Sequence, residues 1–158
     1  AKSQPVFGGV YKLTAVEDNG VIEPKIKISE NVGKITTPGF KQVYRLFDRD
    51  SHKAIADVIT LHDEVIDDTR PYEIFHPLFT WKRKVVENFY AKKLLVKIFD
   101  NGRQIYESPS IHDIKKYCEK QIDHLWEEVK RFEKPHEYFV DLSQPLWDIK
   151  DKLLKENQ

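Results

Sequence analysis

The chain has 158 residues, enough for one domain of ordinary size that buries about two-thirds of its unfolded surface without disulfide or metal staples. Hydrophobic residues make up 40% and charged residues 33%, a folded composition with a heavily charged exterior. Lys plus Arg and Asp plus Glu each number 26, so the formal net charge is zero and the basic excess of a generic nucleic-acid binder is missing.

Val6 to Val16 (VFGGVYKLTAV) is β-prone and almost continuously apolar, which predicts a strand buried on both faces or one at the end of a barrel. Asp18-Asn19-Gly20 is a hairpin turn signal, and Val21 to Ser29 reads as the returning strand. Gly33 and Pro38-Gly39 punctuate a loop. Short strands follow at Val43 to Phe47 and Ala54 to Leu61, joined by a polar turn at Asp48 to His52. Asp63 to Pro77 is an acidic surface loop carrying a short strand at Tyr72 to Phe75. Val85 to Tyr90 and Leu94 to Phe99 are further strands, and Asp100-Asn101-Gly102 turns the latter into a hairpin with Gln104 to Tyr106.

The end of the chain has helical periodicity. Ser110 is an N-cap with Asp113 in the first turn. Ile111, Ile114, Cys118, Ile122, Leu125, Val129 and Phe132 recur at three- and four-residue steps, predicting one helix of about six turns with a buried stripe. Pro135 stops it. Asp141 and Ser143 offer caps for a second helix, with Pro145 in its first turn and Leu146, Ile149 and Leu153 as its apolar side. Strands first and helices last predict an α+β fold of antiparallel strands and hairpins followed by two C-terminal helices.

Cys118 is the only cysteine, which excludes an intrachain disulfide and a cysteine-based zinc site and fits a reducing, cytoplasmic setting. No apolar run reaches the ~20 residues that span a bilayer, so no membrane partner is expected. An opening at Ala1, the lack of any methionine and the early apolar segment read as a piece of a longer polypeptide.

Candidate chemical groups are sparse. The six histidines show no i, i+4 pair and no HExxH. His62-Asp63-Glu64 is attractive as a cluster, but neighbours in an extended segment point to opposite faces. His112 and His124 fall about 120° apart around a helix. No metal site is expected. Trp81-Lys82-Arg83-Lys84 is a basic run beside an aromatic, read as an exposed edge strand with charges that discourage pairing. Cys118, on an apolar stripe, reads as a small buried hydrophobe. No GxSxG elbow, Walker loop or GxGxxG is present, so the residues hold no complete catalytic constellation.

Several segments nevertheless resemble one family. FGGVYKL (Phe7 to Leu13), PKIKISEN (Pro24 to Asn31) and KITTPGFKQVYRLFD (Lys34 to Asp48) are similar to the end of the barrel in bacterial nicotinate phosphoribosyltransferases. AIADVITLHDE (Ala54 to Glu64), LLVKIFDNGRQIYESPSIHDIKKYC (Leu94 to Cys118) and VDLSQPLWDIKDKLL (Val140 to Leu154) resemble that family's C-terminal extension. Val65 to Thr80 is the least family-like stretch. The resemblance implies that residues 1–36 are strands from the end of an upstream phosphoribosyltransferase α/β barrel and 37–158 a C-terminal α+β domain. It implies an ATP- and Mg²⁺-dependent NAD-salvage enzyme that is a glycosyltransferase and ligase, with the barrel domain and a homodimer mate as partners. The family's phosphorylated histidine, Mg²⁺ carboxylates and phosphate loops lie upstream, so no catalytic residue carries over to this chain, no cofactor belongs to it, and alone it is expected to be inert. Lys12 and Lys27 are the substrate-proximal candidates. An autonomous, non-catalytic interaction module is the alternative.

Overall fold

The computed structural model describes residues 8–157. In chain order its elements are β1 (Ala15–Asp18), β2 (Val21–Pro24), β3 (Lys41–Asp48), β4 (Ala54–Leu61), β5 (Tyr72–Phe75), β6 (Arg83–Val86), β7 (Phe89–Lys93), β8 (Phe99–Asp100), β9 (Arg103–Gln104), α1 (Ile111–Asp123), α2 (Glu127–Lys130), β10 (Phe139–Leu142) and α3 (Gln144–Glu156). The fold is α+β. The chain divides into two units: residues 41–145, and the described residues up to Phe40 together with those from Leu146 onward.

Within residues 41–145 a four-stranded sheet has the order β10-β4-β3-β7. Alternation builds it. In β4, Ala54, Ala56, Val58 and Thr60 are buried, while the residues between them are only partly covered. Tyr44 and Leu46 of β3 join Ala56 and Val58 in a core closed by Ile66, Ile74, Val86 and Phe89. The β3–β4 and β3–β7 pairs are antiparallel, with a register shift between Leu46 and Phe47. The acidic loop after β4 is anchored by buried Ile66 and by Asp68, whose Oδ2 accepts the amide of Ala91 at 3.0 Å. The outer hairpin β5–β6 pairs antiparallel, and β8–β9 turns through Asn101 and Gly102, both at positive φ.

β10 adds one parallel pairing to the expected antiparallel strands and hairpins. It pairs parallel to β4, with Asp141 opposite Val58 and Leu142 opposite Ile59. A parallel neighbour needs a long crossover, here the whole stretch from β5 to α2, so no local pattern announces it.

The expected six-turn helix is also shorter than its periodicity implies. α1 is capped as predicted, with the amide of Asp113 donating to Ser110 Oγ at 3.2 Å. It ends at Asp123 because tertiary donors take the last carbonyls: Lys53 Nζ binds Asp123 O at 2.7 Å and Ala54 N binds His124 O at 2.8 Å. No residue of α1 or α2 is buried. Leu125 and Val129 are half-buried, Phe132 is exposed, and Cys118 is exposed where a buried thiol was expected.

In the second unit, β1 and β2 form the predicted hairpin, turning through Asn19 and Gly20 at φ 50° and 79°. Those paired positive φ values are what a two-residue turn matched to strand twist requires. The expected strand from Val6 begins outside the described residues. From Gly8 to Thr14 the chain is not a strand, and Tyr11 is 95% exposed. In α3, Lys150 is nearly buried and its Nζ donates to Thr37 Oγ1 at 3.3 Å. Burial lowers the pKa of that ammonium from its ordinary value.

Candidate functional site

The 41–145 unit holds a cleft of about 670 Å³ beside β5, β6 and β10. Ile74 and Lys84 are cross-strand partners on one face of the β5–β6 hairpin, and both line it. Phe139 and Asp141, two residues apart on β10, line it from the sheet. His76 sits at the hairpin's turn, where its Nδ1 accepts the amides of Leu78 at 3.1 Å and Phe79 at 3.0 Å. That assigns the proton of the neutral ring to Nε2.

Asp141 is the unusual group. It is 2% exposed, and its Oδ1 has no hydrogen-bond partner among the described residues. Burial raises its carboxyl pKa above the ordinary carboxylate range, an effect that nearby His76 opposes and Glu137 reinforces. The basic run is engaged rather than free: Lys82 Nζ lies 4.8 Å from the Phe79 ring centroid, and Arg83 stacks over Phe75 while pairing with Glu73. β6 pairs on one side only, within a two-stranded sheet, as an edge strand bearing charges should.

A second polar cluster was missed by sequence reasoning. Arg45 Nε and Nη2 grip Asp57 Oδ1 and Oδ2 at 2.7 and 2.9 Å. Tyr138 Oη donates to Asp57 Oδ1 at 2.9 Å, and Arg45 Nη1 donates to Gln121 Oε1 at 3.1 Å. Arg45 and Asp57 are opposite each other across β3 and β4, so one bidentate pair ties both strands to α1 and to the segment before β10. Asp57, through both a charge-assisted bond and Coulomb attraction, raises the guanidinium's pKa still further, while burial and Asp57 raise that of Tyr138. The available signal was opposite charges inside two otherwise apolar strands, YRLF and IADVI.

The remaining candidates separate. Glu64 Oε1 accepts Leu61 N at 2.6 Å and Ser143 Oγ at 2.7 Å, a structural tie from the loop to the end of β10. Neighbouring His62 faces Asp63 at 3.8 Å instead, so the triplet does not converge. His124 Nδ1 donates to His52 O at 2.9 Å, whereas His112 is exposed on α1. Lys12 and Lys27 are both exposed; Lys12 Nζ donates to the carbonyl of Tyr11 at 3.3 Å, and Lys27 is held by its backbone amide to Thr36 Oγ1 at 2.8 Å. Among the described residues no group of three His, Cys, Asp or Glu side chains could hold a metal ion, and no helix is long and apolar enough to cross a membrane.

The elements define an α+β chain whose cleft holds a buried carboxyl, Asp141. The chain belongs to the nicotinate phosphoribosyltransferase C-terminal domain family, whose model matches residues 40–150. It is 45% identical over 156 residues to a nicotinate phosphoribosyltransferase of Bacillus subtilis, covering 99% of this chain and 32% of the relative. A Dictyostelium discoideum nicotinate phosphoribosyltransferase is 33% identical over 154 residues, covering 93% of this chain and 26% of its own length. The crystal structure of human nicotinic acid phosphoribosyltransferase shares the fold with a TM-score of 0.73 at 23% identity, over 93% of this chain and 27% of that one. The chain thus spans about a third or less of the relatives it matches. The alternative of an autonomous interaction module finds no support in these matches.

Proposed function

We propose that this chain serves as the C-terminal domain of an NAD-salvage transferase that joins nicotinate to the ribose-phosphate of phosphoribosyl pyrophosphate. The products are nicotinate mononucleotide and pyrophosphate, with ATP hydrolysis coupled to the transfer. The observation that carries this reading is the match to the Bacillus subtilis relative, which runs through 99% of the chain at 45% identity. Mg²⁺ and ATP enter this reading as groups of the whole enzyme. Among the described residues no group of three His, Cys, Asp or Glu side chains could hold a metal ion, and the space around Gly8 is open, with nothing within 4 Å of the position a Cβ would take. Those groups are assigned to the rest of the enzyme, in a cytoplasmic homodimer, with residues 1–36 as the return from its barrel and 37–158 as the appended domain.

In this reading the isolated chain has no site of its own for either substrate. A ligand that binds only the native state raises the denaturation midpoint. The midpoint of this chain is therefore expected to stay unchanged on adding nicotinate and phosphoribosyl pyrophosphate. A rise would show an independent site and overturn the assignment.

Lys12 and Lys27, exposed in segments that resemble the barrel's end, are assigned to the approach of the phosphate-bearing substrate. In the complete polypeptide, Lys12→Ala and Lys27→Ala should each raise the KM for phosphoribosyl pyrophosphate several-fold, roughly 1 kcal/mol or less for an exposed ion pair. An unchanged KM returns them to ordinary solvated lysines.

A further inference from the structure

α1 carries its apolar residues on one side and buries none of them. Ile111, Ile114, Cys118 and Ile122 follow at steps of three, four and four, which keeps them within one narrow arc of the helix. Ile111 is 83% exposed, Ile114 53% and Ile122 46%, and every residue from Ile111 to Lys120 is exposed. The hydrogen bonds that tie the helix to its unit sit at its far end, on Gln121, Asp123 and His124. A free helix of 13 residues is marginal in water and draws most of its stability from packing an amphipathic face. A stripe this regular is built to be covered.

We infer that the Ile111–Ile114–Cys118–Ile122 stripe of α1 docks against the part of the transferase polypeptide that this chain does not include. The inference rests on the functional reading above. Two arguments select this occupant over a second copy of the chain. The match that takes 99% of this chain accounts for only 32% of the Bacillus subtilis relative, so a family member carries about twice this length of chain besides. Size is the other argument. A stable interface between separate chains takes roughly 20–30 residues a side, and a stripe of four side chains on three turns falls far short. A contact within one polypeptide needs no such area, because covalent linkage supplies a high effective concentration.

Cys118 lies in the middle of the stripe and reports on it directly. In the complete polypeptide, alkylation of Cys118 by iodoacetamide, followed by peptide mass spectrometry, should run at least about ten-fold slower than in the same polypeptide unfolded in urea, as expected of a thiol closed off from solvent. Ile114→Asp should restore fast alkylation, and Lys116→Glu, on the opposite side of α1, should leave protection intact. Should Ile114→Asp fail to fold by circular dichroism, Ile111→Ser at the first turn gives the same readout. Alkylation of the folded wild type at the unfolded rate overturns the proposal. Protection that disappears when the enzyme is diluted into monomers also overturns it, because the cover is then a second copy. Nicotinate mononucleotide formation, measured on the same samples, separates the two failures: an active enzyme with a fast Cys118 defeats only the interface, and an inactive one with a protected Cys118 defeats only the functional reading.

Discussion

Asp141 shows how a single carboxyl can be at odds with its surroundings. Its place on β10 is fixed by backbone pairing to β4, yet its Oδ1 is buried without a partner. Desolvation disfavours the charged form, so the native carboxyl holds its proton to higher pH than the unfolded one does. Between those two pKa values the native state binds more protons, and stability therefore falls as pH rises through the raised value. Asp141→Asn keeps the shape and removes the charge. It should raise the stability at pH 7 by on the order of 1 kcal/mol, read as a higher urea midpoint, with the gain vanishing below the ordinary carboxylate range near pH 4. A lower midpoint at pH 7 would show that the carboxylate is satisfied by a partner in solution. Asp57 stands in contrast: two Arg45 nitrogens and the Tyr138 hydroxyl meet it, so removing any one of them strands a charge rather than relieving one. Tyr72, pushed up to about 12 mainly by burial, stays neutral across the same pH range.

The elements that could be read from the sequence are those whose pattern is local. β4 alternates strictly, β3 is an apolar run interrupted by Arg45 and by a bulge at Leu46 and Phe47, and the turn chemistry of Asn19-Gly20 and Asn101-Gly102 dictates its own backbone, so these were placed to within a residue or two. β10 was invisible because Phe139–Leu142 is strand only by pairing in parallel with β4, some eighty residues earlier. α1 was overextended because periodicity continues past Asp123 while Lys53 and Ala54 capture the carbonyls that the next turn would use. The cleft was half legible. Trp81 to Lys84 was recognised as an edge, but His76 and Asp141 meet there only through the sheet. Burial itself was the least legible property. Tyr11 and Ile111 have the composition of core residues and are exposed, which no local pattern announces.

For the molecule as a whole, zero net charge, a lone cysteine and the absence of a catalytic motif excluded much and identified little. Membership of the family came from extended segments spread along nearly the whole chain, and the match over residues 40–150 bears it out. Two features of the described residues fit the proposed role: no group of three His, Cys, Asp or Glu side chains could hold a metal ion, and the apolar stripe of α1 is exposed. Both follow if chemistry and cover lie in the same polypeptide elsewhere. The most direct measurement is turnover. The purified chain, incubated with nicotinate, phosphoribosyl pyrophosphate, ATP and Mg²⁺, should form no nicotinate mononucleotide above the no-protein background, while the polypeptide that also carries the remaining two-thirds of a family member forms it readily. Turnover by the 158-residue chain alone would contradict the account.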